Sequence, residues 1–218
     1  MKKQLDSLFA TPVQLIDIEN DFLCDRYANF LENLIGETLA EKSFSSLTTK
    51  DNLHMYEEFD SLVDLVKFQM TEYARDIIGL QEDSLELSAM WSNVRNSGSK
   101  HHAHQHPNSY LSGVLYLKVP QEEEIGNIFF VDPRQAKNMM YGNYTKVTSM
   151  SERTWWYKPK KGVMLLFPSW LEHGTEEYIS NNTEKRISVS FNFILTRCDE
   201  NTMSFDIKNL MKDFKHAE

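Results

Sequence analysis

Cysteine is almost missing from this chain, with two in 218 residues, Cys24 and Cys198, far apart and in no metal-binding spacing. A zinc site built wholly from cysteine is therefore excluded. One disulfide is the most the chain can form, and two free thiols in a reducing cytosol are the expectation. Long apolar runs are missing too. No stretch approaches the roughly 18 residues that a membrane span needs. The opening MKKQLDSLFATPVQLIDIEND starts basic but has no sustained apolar core, so it does not read as a signal peptide. The expected location is the cytoplasm, away from membranes. Positive charge is scarce: 23 Lys and Arg against 32 Asp and Glu give a formal net charge of -9. Such a surface repels phosphate backbones, so nucleic acid is not an expected partner.

What is present belongs to an ordered globular protein. Hydrophobic residues make up 41%, with 13 Phe, 9 Tyr and 4 Trp as bulky core material. The length suits one domain, and no internal repeat is visible. Pattern divides it into an extended segment and covering helices over residues 1–84, a β core over 85–198 and a tail over 199–218. Residues 8–18 read as extended. Tyr27, Phe30, Leu31 and Leu34 have helical spacing within residues 25–35, with Gly36 as the stop. Residues 43–50 form a Ser/Thr-rich loop. A longer helix is predicted over 55–78, its stripe made of Phe59, Leu62, Val63, Leu65, Val66 and Met70, and Gly79 ends it.

From residue 85 the hydrophobic period changes to two. Strands are predicted over 85–94, 111–119, 127–131, 155–158, 163–167, 174–179 and 186–195, with Gly- and Asn-containing turns between them. Many short strands without intervening helices point to an antiparallel sandwich or barrel of jelly-roll type. Residues 134–154 are a long polar connection, a length at which loops often serve as lids. Residues 201–218 contain a short amphipathic helix candidate.

Four of the seven histidines fall at positions 101, 102, 104 and 106. On an extended strand His102, His104 and His106 share one face and His101 points away. Imidazoles two residues apart can converge on one metal ion. His173, in Phe167-Pro-Ser-Trp-Leu-Glu-His-Gly, is the candidate third ligand. Iron oxygenases usually combine two His with one carboxylate. No Asp or Glu lies between Ser97 and Pro120, so a three-His set is what remains. Three neutral imidazoles also suit catalytic zinc, so the ligands alone do not choose the metal.

Arg186 narrows the choice. In Arg186-Ile-Ser-Val-Ser-Phe-Asn-Phe the residues Arg186, Ser188, Ser190 and Asn192 share one face, and Ile187, Val189, Phe191 and Phe193 the other. Arg186 follows His173 by thirteen residues with a turn at Asn181-Asn182 between, which sets it on the strand beside the one His173 begins. A guanidinium beside a metal, with Ser188 two positions on, is a bidentate carboxylate receptor. A metal with a fixed arginine one small dicarboxylate away describes 2-oxoglutarate binding.

Trp91-Ser-Asn, Gly98, His104-Gln-His106-Pro-Asn-Ser, Leu111-Ser-Gly-Val-Leu-Tyr-Leu, Phe130-Val-Asp-Pro-Arg, Gly162-Val-Met-Leu-Leu-Phe-Pro-Ser-Trp-Leu-Glu-His and Arg186-Ile-Ser-Val-Ser-Phe-Asn resemble the 2-oxoglutarate/iron(II) oxygenases of marine bacteria and phages. The likeness covers residues 88–194 in order and extends weakly to Leu8-Phe-Ala-Thr-Pro-Val. The second half is also similar to prolyl-hydroxylase-like domains. Their proximal His-x-Asp is replaced here by His104-Gln105-His106. That leaves the second ligand as His106, or the proximal pair as His102 and His104.

The resemblance implies a double-stranded β-helix with the N-terminal helices packed on its major sheet. It also implies Fe(II) and 2-oxoglutarate, and an oxidative reaction, hydroxylation with release of succinate and CO2. It makes Asn93 and Tyr116 positions that help hold the oxoglutarate. Asp132 and Arg134 read equally as part of the site mouth or as a surface turn. The expected catalytic set is His104, His106, His173 and Arg186, acting on a small-molecule or peptidyl substrate. Two rivals stand beside this reading: a three-His cupin-like dioxygenase that chelates its substrate directly, and a nonenzymatic jelly-roll binding module. Oligomeric state is open; Met139-Met140-Tyr141 suits a homodimer interface as well as a lid.

Overall fold

The structure, a computed structural model, describes residues 3–4, 8–39, 46–121, 125–134, 136, 139, 142–180 and 183–196. The candidate helix of the tail, Cys198, the Asn181-Asn182 turn, and Met140 and Tyr141 lie outside the described residues.

Among the described residues ten strands and two α-helices follow in the order β1 (Gln14–Asp17), α1 (Asp21–Leu39), β2 (Ser46–Thr48), α2 (Asp60–Tyr73), β3 (Leu85–Arg95), β4 (Ser99–His104), β5 (Leu111–Lys118), β6 (Ile128–Val131), β7 (Thr154–Tyr157), β8 (Val163–Pro168), β9 (His173–Tyr178) and β10 (Arg186–Leu195). They make two antiparallel sheets. The major sheet runs β1-β8-β5-β10-β3-β2 and the minor sheet β4-β9-β6-β7. The pairs are nested: β3 with β10, β4 with β9, β5 with β8 and β6 with β7. One long hairpin is thus wound on itself, which is the double-stranded β-helix.

The alternation of β10 explains the layering. Ile187, Val189, Phe191 and Phe193 are fully or almost fully buried beneath the helices, with Tyr27, Leu31, Leu62, Val66 and Met70 above them. The opposite faces turn toward the minor sheet, where Val114, Tyr116, Ile128, Phe130, Leu165 and Phe167 form a smaller second core. Burial of these apolar faces, at roughly 25 cal/mol per Å², holds the layers together.

Four local expectations change. The first helix begins earlier, at Asp21, because the Asn20 side chain accepts from the Leu23 N–H at 3.0 Å. It also runs through Gly36, whose cost of roughly 1 kcal/mol does not end a helix that a neighbouring sheet supports. Its buried face is Cys24, Tyr27, Ala28 and Leu31, while Phe30 and Leu34 sit partly exposed at the rim. The second helix starts at Asp60: residues 53–59 form two short 3-10 turns around an extended Tyr56, which bury Leu53 and Phe59. It ends in a wide turn, Ala74–Ile78, closed by Gly79 at φ 82. The extended segment and part of the Ser/Thr-rich loop become edge strands, β1 on β8 and β2 on β3. Cys24 is buried and unbonded. No helix among the described residues is long and apolar enough to cross a membrane.

Candidate metal centre

His104 ends β4, His173 begins β9, and the two are directly opposed across that ladder. His106 lies just past the end of β4, where its N–H donates to the Ser169 carbonyl at 3.0 Å. The three rings converge, with centroids 5.0 Å apart for His104 and His106, 4.5 Å for His104 and His173 and 5.1 Å for His106 and His173. One ligand nitrogen from each lies within 4.8 Å of the others, a cluster that could hold a metal ion. Hydrogen bonds orient two of the rings. His104 Nδ1 donates to the His102 carbonyl at 2.9 Å and His173 Nδ1 to the Leu171 carbonyl at 2.8 Å. On a neutral ring each bond leaves Nε2 unprotonated, the form a metal needs, and His173 Nε2 lies 3.2 Å from His106 Nε2.

His106 is backed by a polar chain. Its Nδ1 lies 3.3 Å from the Asn192 amide, whose oxygen accepts from Ser112 Oγ at 2.8 Å, and Ser112 meets Ser169 Oγ at 2.7 Å. An amide presents both a donor and an acceptor, so this residue can serve either tautomer of His106. Burial holds the His106 and His173 rings in the neutral form that coordinates metal. The pKa of His173 is pushed down to about 3 and that of His106 to about 4, in each case first by desolvation.

Alternation fails at one point. The β4–β9 ladder shifts register between Ser99 and His101 and again between His101 and His104. The slips turn His101, not His102, toward the centre: its ring lies 4.4 Å from that of His104. His102 contributes only its carbonyl, so the two bulges turn the His102–His104 alternative away from the cluster.

Behind the imidazoles is a cavity of about 50 Å³, lined in part by Trp91, Asn93, Tyr116, Phe167, Arg186 and Ser188. Arg186 is 2% exposed. Its Nη1 donates to the Ile125 carbonyl at 2.5 Å and to the Gly126 carbonyl, while its buried Nε has no partner among the described residues. Ser188 stands opposite Asn93 on β3 and Tyr116 on β5, so the three sit in one row across the sheet. Asn93 donates to Ser190 Oγ at 3.2 Å and accepts from Thr48 Oγ1 at 3.0 Å. Two residues the sequence reading missed also line the cavity, Arg95 and Thr175, joined by a 2.7 Å hydrogen bond from Arg95 Nη1 to Thr175 Oγ1. The signal for Arg95 was present: it lies two positions past Asn93 and shares its face, one residue beyond the predicted strand end.

A larger cavity of about 310 Å³ lies alongside, bounded in part by Phe9, Phe130, Asp132, Arg134, Arg153 and Trp155. Phe130 connects the two places, since its ring is 5.9 Å from that of His173. Asp132 and Arg134 line this cavity as an ion pair at 2.8 Å.

Residues 89–192 match the sequence model of a family described as "Putative 2OG-Fe(II) oxygenase". Solved structures share the fold. HygX from Streptomyces hygroscopicus, with nickel and 2-oxoglutarate bound, superposes with a TM-score of 0.62 at 16% identity, over 87% of this chain and 85% of that one. A prolyl-4-hydroxylase of Pseudomonas putida gives 0.59 at 13% identity, over 87% and 96%. The viral collagen prolyl hydroxylase of Paramecium Bursaria Chlorella virus-1, a 2OG complex, gives 0.55 at 16% identity, over 85% and 96%. Comparison with curated protein sequences returned no match.

Proposed function

We propose, from the match of residues 89–192 to the 2OG-Fe(II) oxygenase family model, that this chain is an iron(II)- and 2-oxoglutarate-dependent hydroxylase. On this reading His104, His106 and His173 hold the iron, and Arg186 receives the far carboxylate of the cosubstrate with help from Ser188, Tyr116 and Asn93. The whole chain is one domain, with residues 1–84 covering a core of 85–198 and a tail of 199–218.

The observation that carries the proposal is a pairing within one cavity. Three imidazoles bring one ligand nitrogen each within 4.8 Å of the others, and a buried guanidinium nearby has an Nε without a partner among the described residues. A buried donor without an acceptor is costly, and a ligand carboxylate supplies the acceptor. When bound, iron(II) with 2-oxoglutarate and dioxygen supplies the oxidation: the keto acid becomes succinate and CO2, and a substrate C–H becomes C–OH. The protein contributes orientation and dryness. The His102 and Leu171 carbonyls fix two rings, the Ile125 and Gly126 carbonyls hold the guanidinium still, and Phe167 and Trp91 wall off water. The neighbouring larger cavity is where we expect a small-molecule or peptidyl substrate to lie.

Anaerobic titration of metal-free protein with Fe(II) and then 2-oxoglutarate is the direct test. We expect a saturable visible charge-transfer band, much weaker in Arg186→Ala, followed by 2-oxoglutarate-dependent succinate release in air. Iron binding without the band would favour a second reading, a three-His dioxygenase that chelates its substrate directly. The absence of any carboxylate among the described cavity residues is the feature that supports that rival. Failure to bind iron would remove the catalytic proposal.

A further inference from the structure

One arginine suffices to receive one carboxylate, yet this cavity holds two. Arg95 and Arg186 face each other as direct partners across the β3–β10 ladder. They are 5% and 2% exposed, and both line the cavity behind the imidazoles. No Asp or Glu lines it among the described residues. Burying one cation is costly, and burying a second beside it adds repulsion that no carboxylate lining the cavity offsets. The pKa of Arg95 is pulled down to about 10, by desolvation first and by the charge of Arg186 second, so both guanidiniums stay charged at neutral pH. Their surroundings hold them in place. Arg186 is tied to backbone carbonyls at one side of the cavity, and Arg95 reaches from the major sheet to Thr175 on β9, two residues past His173. An anion is what this pair lacks.

We propose that Arg95 is a second cosubstrate receptor, forming with Arg186 a two-guanidinium clamp on the carboxylate far from the metal, with Thr175 as the residue that positions it. The clamp rests on the 2-oxoglutarate reading and sharpens it. The cavity selects keto acids with a second carboxylate and discriminates against those without one, and Arg95 carries part of that selection.

The test compares two ligands with the same metal-chelating head, 2-oxoglutarate and 2-oxobutyrate, the second lacking the far carboxylate. Calorimetric dissociation constants are measured anaerobically on Fe(II)-loaded wild type, Arg95→Met and Thr175→Val, with the Tm of each ligand-free protein. In Arg95→Met the constant for 2-oxoglutarate should rise on the order of ten- to a hundredfold, as for one buried charge-assisted hydrogen bond. The constant for 2-oxobutyrate should stay within about threefold, because the chelating head is untouched. The ligand-free Tm should hold or rise, since a like-charge pair has been relieved. Thr175→Val should show the same selective loss in smaller measure. A variant that prefers 2-oxoglutarate as strongly as wild type does would overturn the clamp alone. So would equal weakening of both ligands with a lowered Tm, which marks a structural arginine. Wild-type protein with no preference for 2-oxoglutarate would overturn the cosubstrate reading, and the clamp with it.

Discussion

Gly126 shows how closely the arginine site is fitted. Its φ of +69 is one that side chains rarely adopt, and a Cβ there would lie 2.7 Å from the Glu176 carbonyl and 2.8 Å from Arg186 Nη1. Gly126→Ala should therefore cost on the order of 2 kcal/mol and displace the guanidinium. We expect a lower Tm together with a raised dissociation constant for 2-oxoglutarate; a lower Tm with unchanged affinity would separate the turn from the receptor. At this scale the sequence was readable where period-two alternation persists. Arg186 and Ser188 were expected beside a metal from their alternation, and Asn93 and Tyr116 beside the cosubstrate from the family likeness; all four line one cavity. It was unreadable where alternation slips: nothing in Ser99-Lys-His-His-Ala-His announces the two register shifts that bring His101 to the cluster in place of His102.

The β4–β9 ladder is the element on which the metal centre depends, because it sets His104 against His173. Gly174 lets the two strands close. A Cβ at that position would meet Phe129 Cζ at 2.6 Å and the His101 carbonyl at 2.7 Å. Gly174→Ala should push β4 away from β9 and lower iron affinity by about tenfold, the scale on which supporting groups act on a metal site. Equilibrium competition with a chelator measures this, and unchanged affinity would show that the ladder yields without moving its histidines. Most strands of the β-helix core were legible from alternation or from an apolar run, but β4, Ser99-Lys-His-His-Ala-His, has no apolar face and was absent from the expected strands. Helix ends were less legible. The Asn20 cap lay seven residues ahead of Tyr27, the first residue of the visible stripe, and Gly36 looked like a stop although the helix runs through it.

For the molecule as a whole, neutral buried imidazoles imply a particular acid response. Folding depresses the pKa of His106 and His173 below that of the unfolded chain, near 6.5, to about 4 and about 3. Protons therefore bind the unfolded chain more tightly. The stabilising contribution of these rings is complete above pH 6.5 and is lost as pH falls through 6 toward 4. Metal-free protein should show a Tm that declines over that window, and Fe(II) should move the decline to lower pH because it binds only the neutral rings. Thermal melts from pH 7.5 to 4, anaerobic and with or without Fe(II), check this; coincident profiles would contradict a metal site at these histidines. Composition and patterning announced the jelly-roll class, and the histidine–arginine arrangement with the family likeness narrowed it to the double-stranded β-helix. The strand order follows from long-range pairings that no local signal encodes.

The nesting of those pairings bears on how the protein is made. His106 and His173 are 67 residues apart, and β3 must wait for β10, the last strand described, before Arg95 and Arg186 meet. Contacts so remote in sequence form slowly and late. During synthesis the emerging chain carries two of the three candidate ligands until β9 appears and an incomplete anion receptor until β10 does. On the proposed function, iron would find a full set of ligands only after nearly the whole core has been translated, and its capture would be an act of maturation.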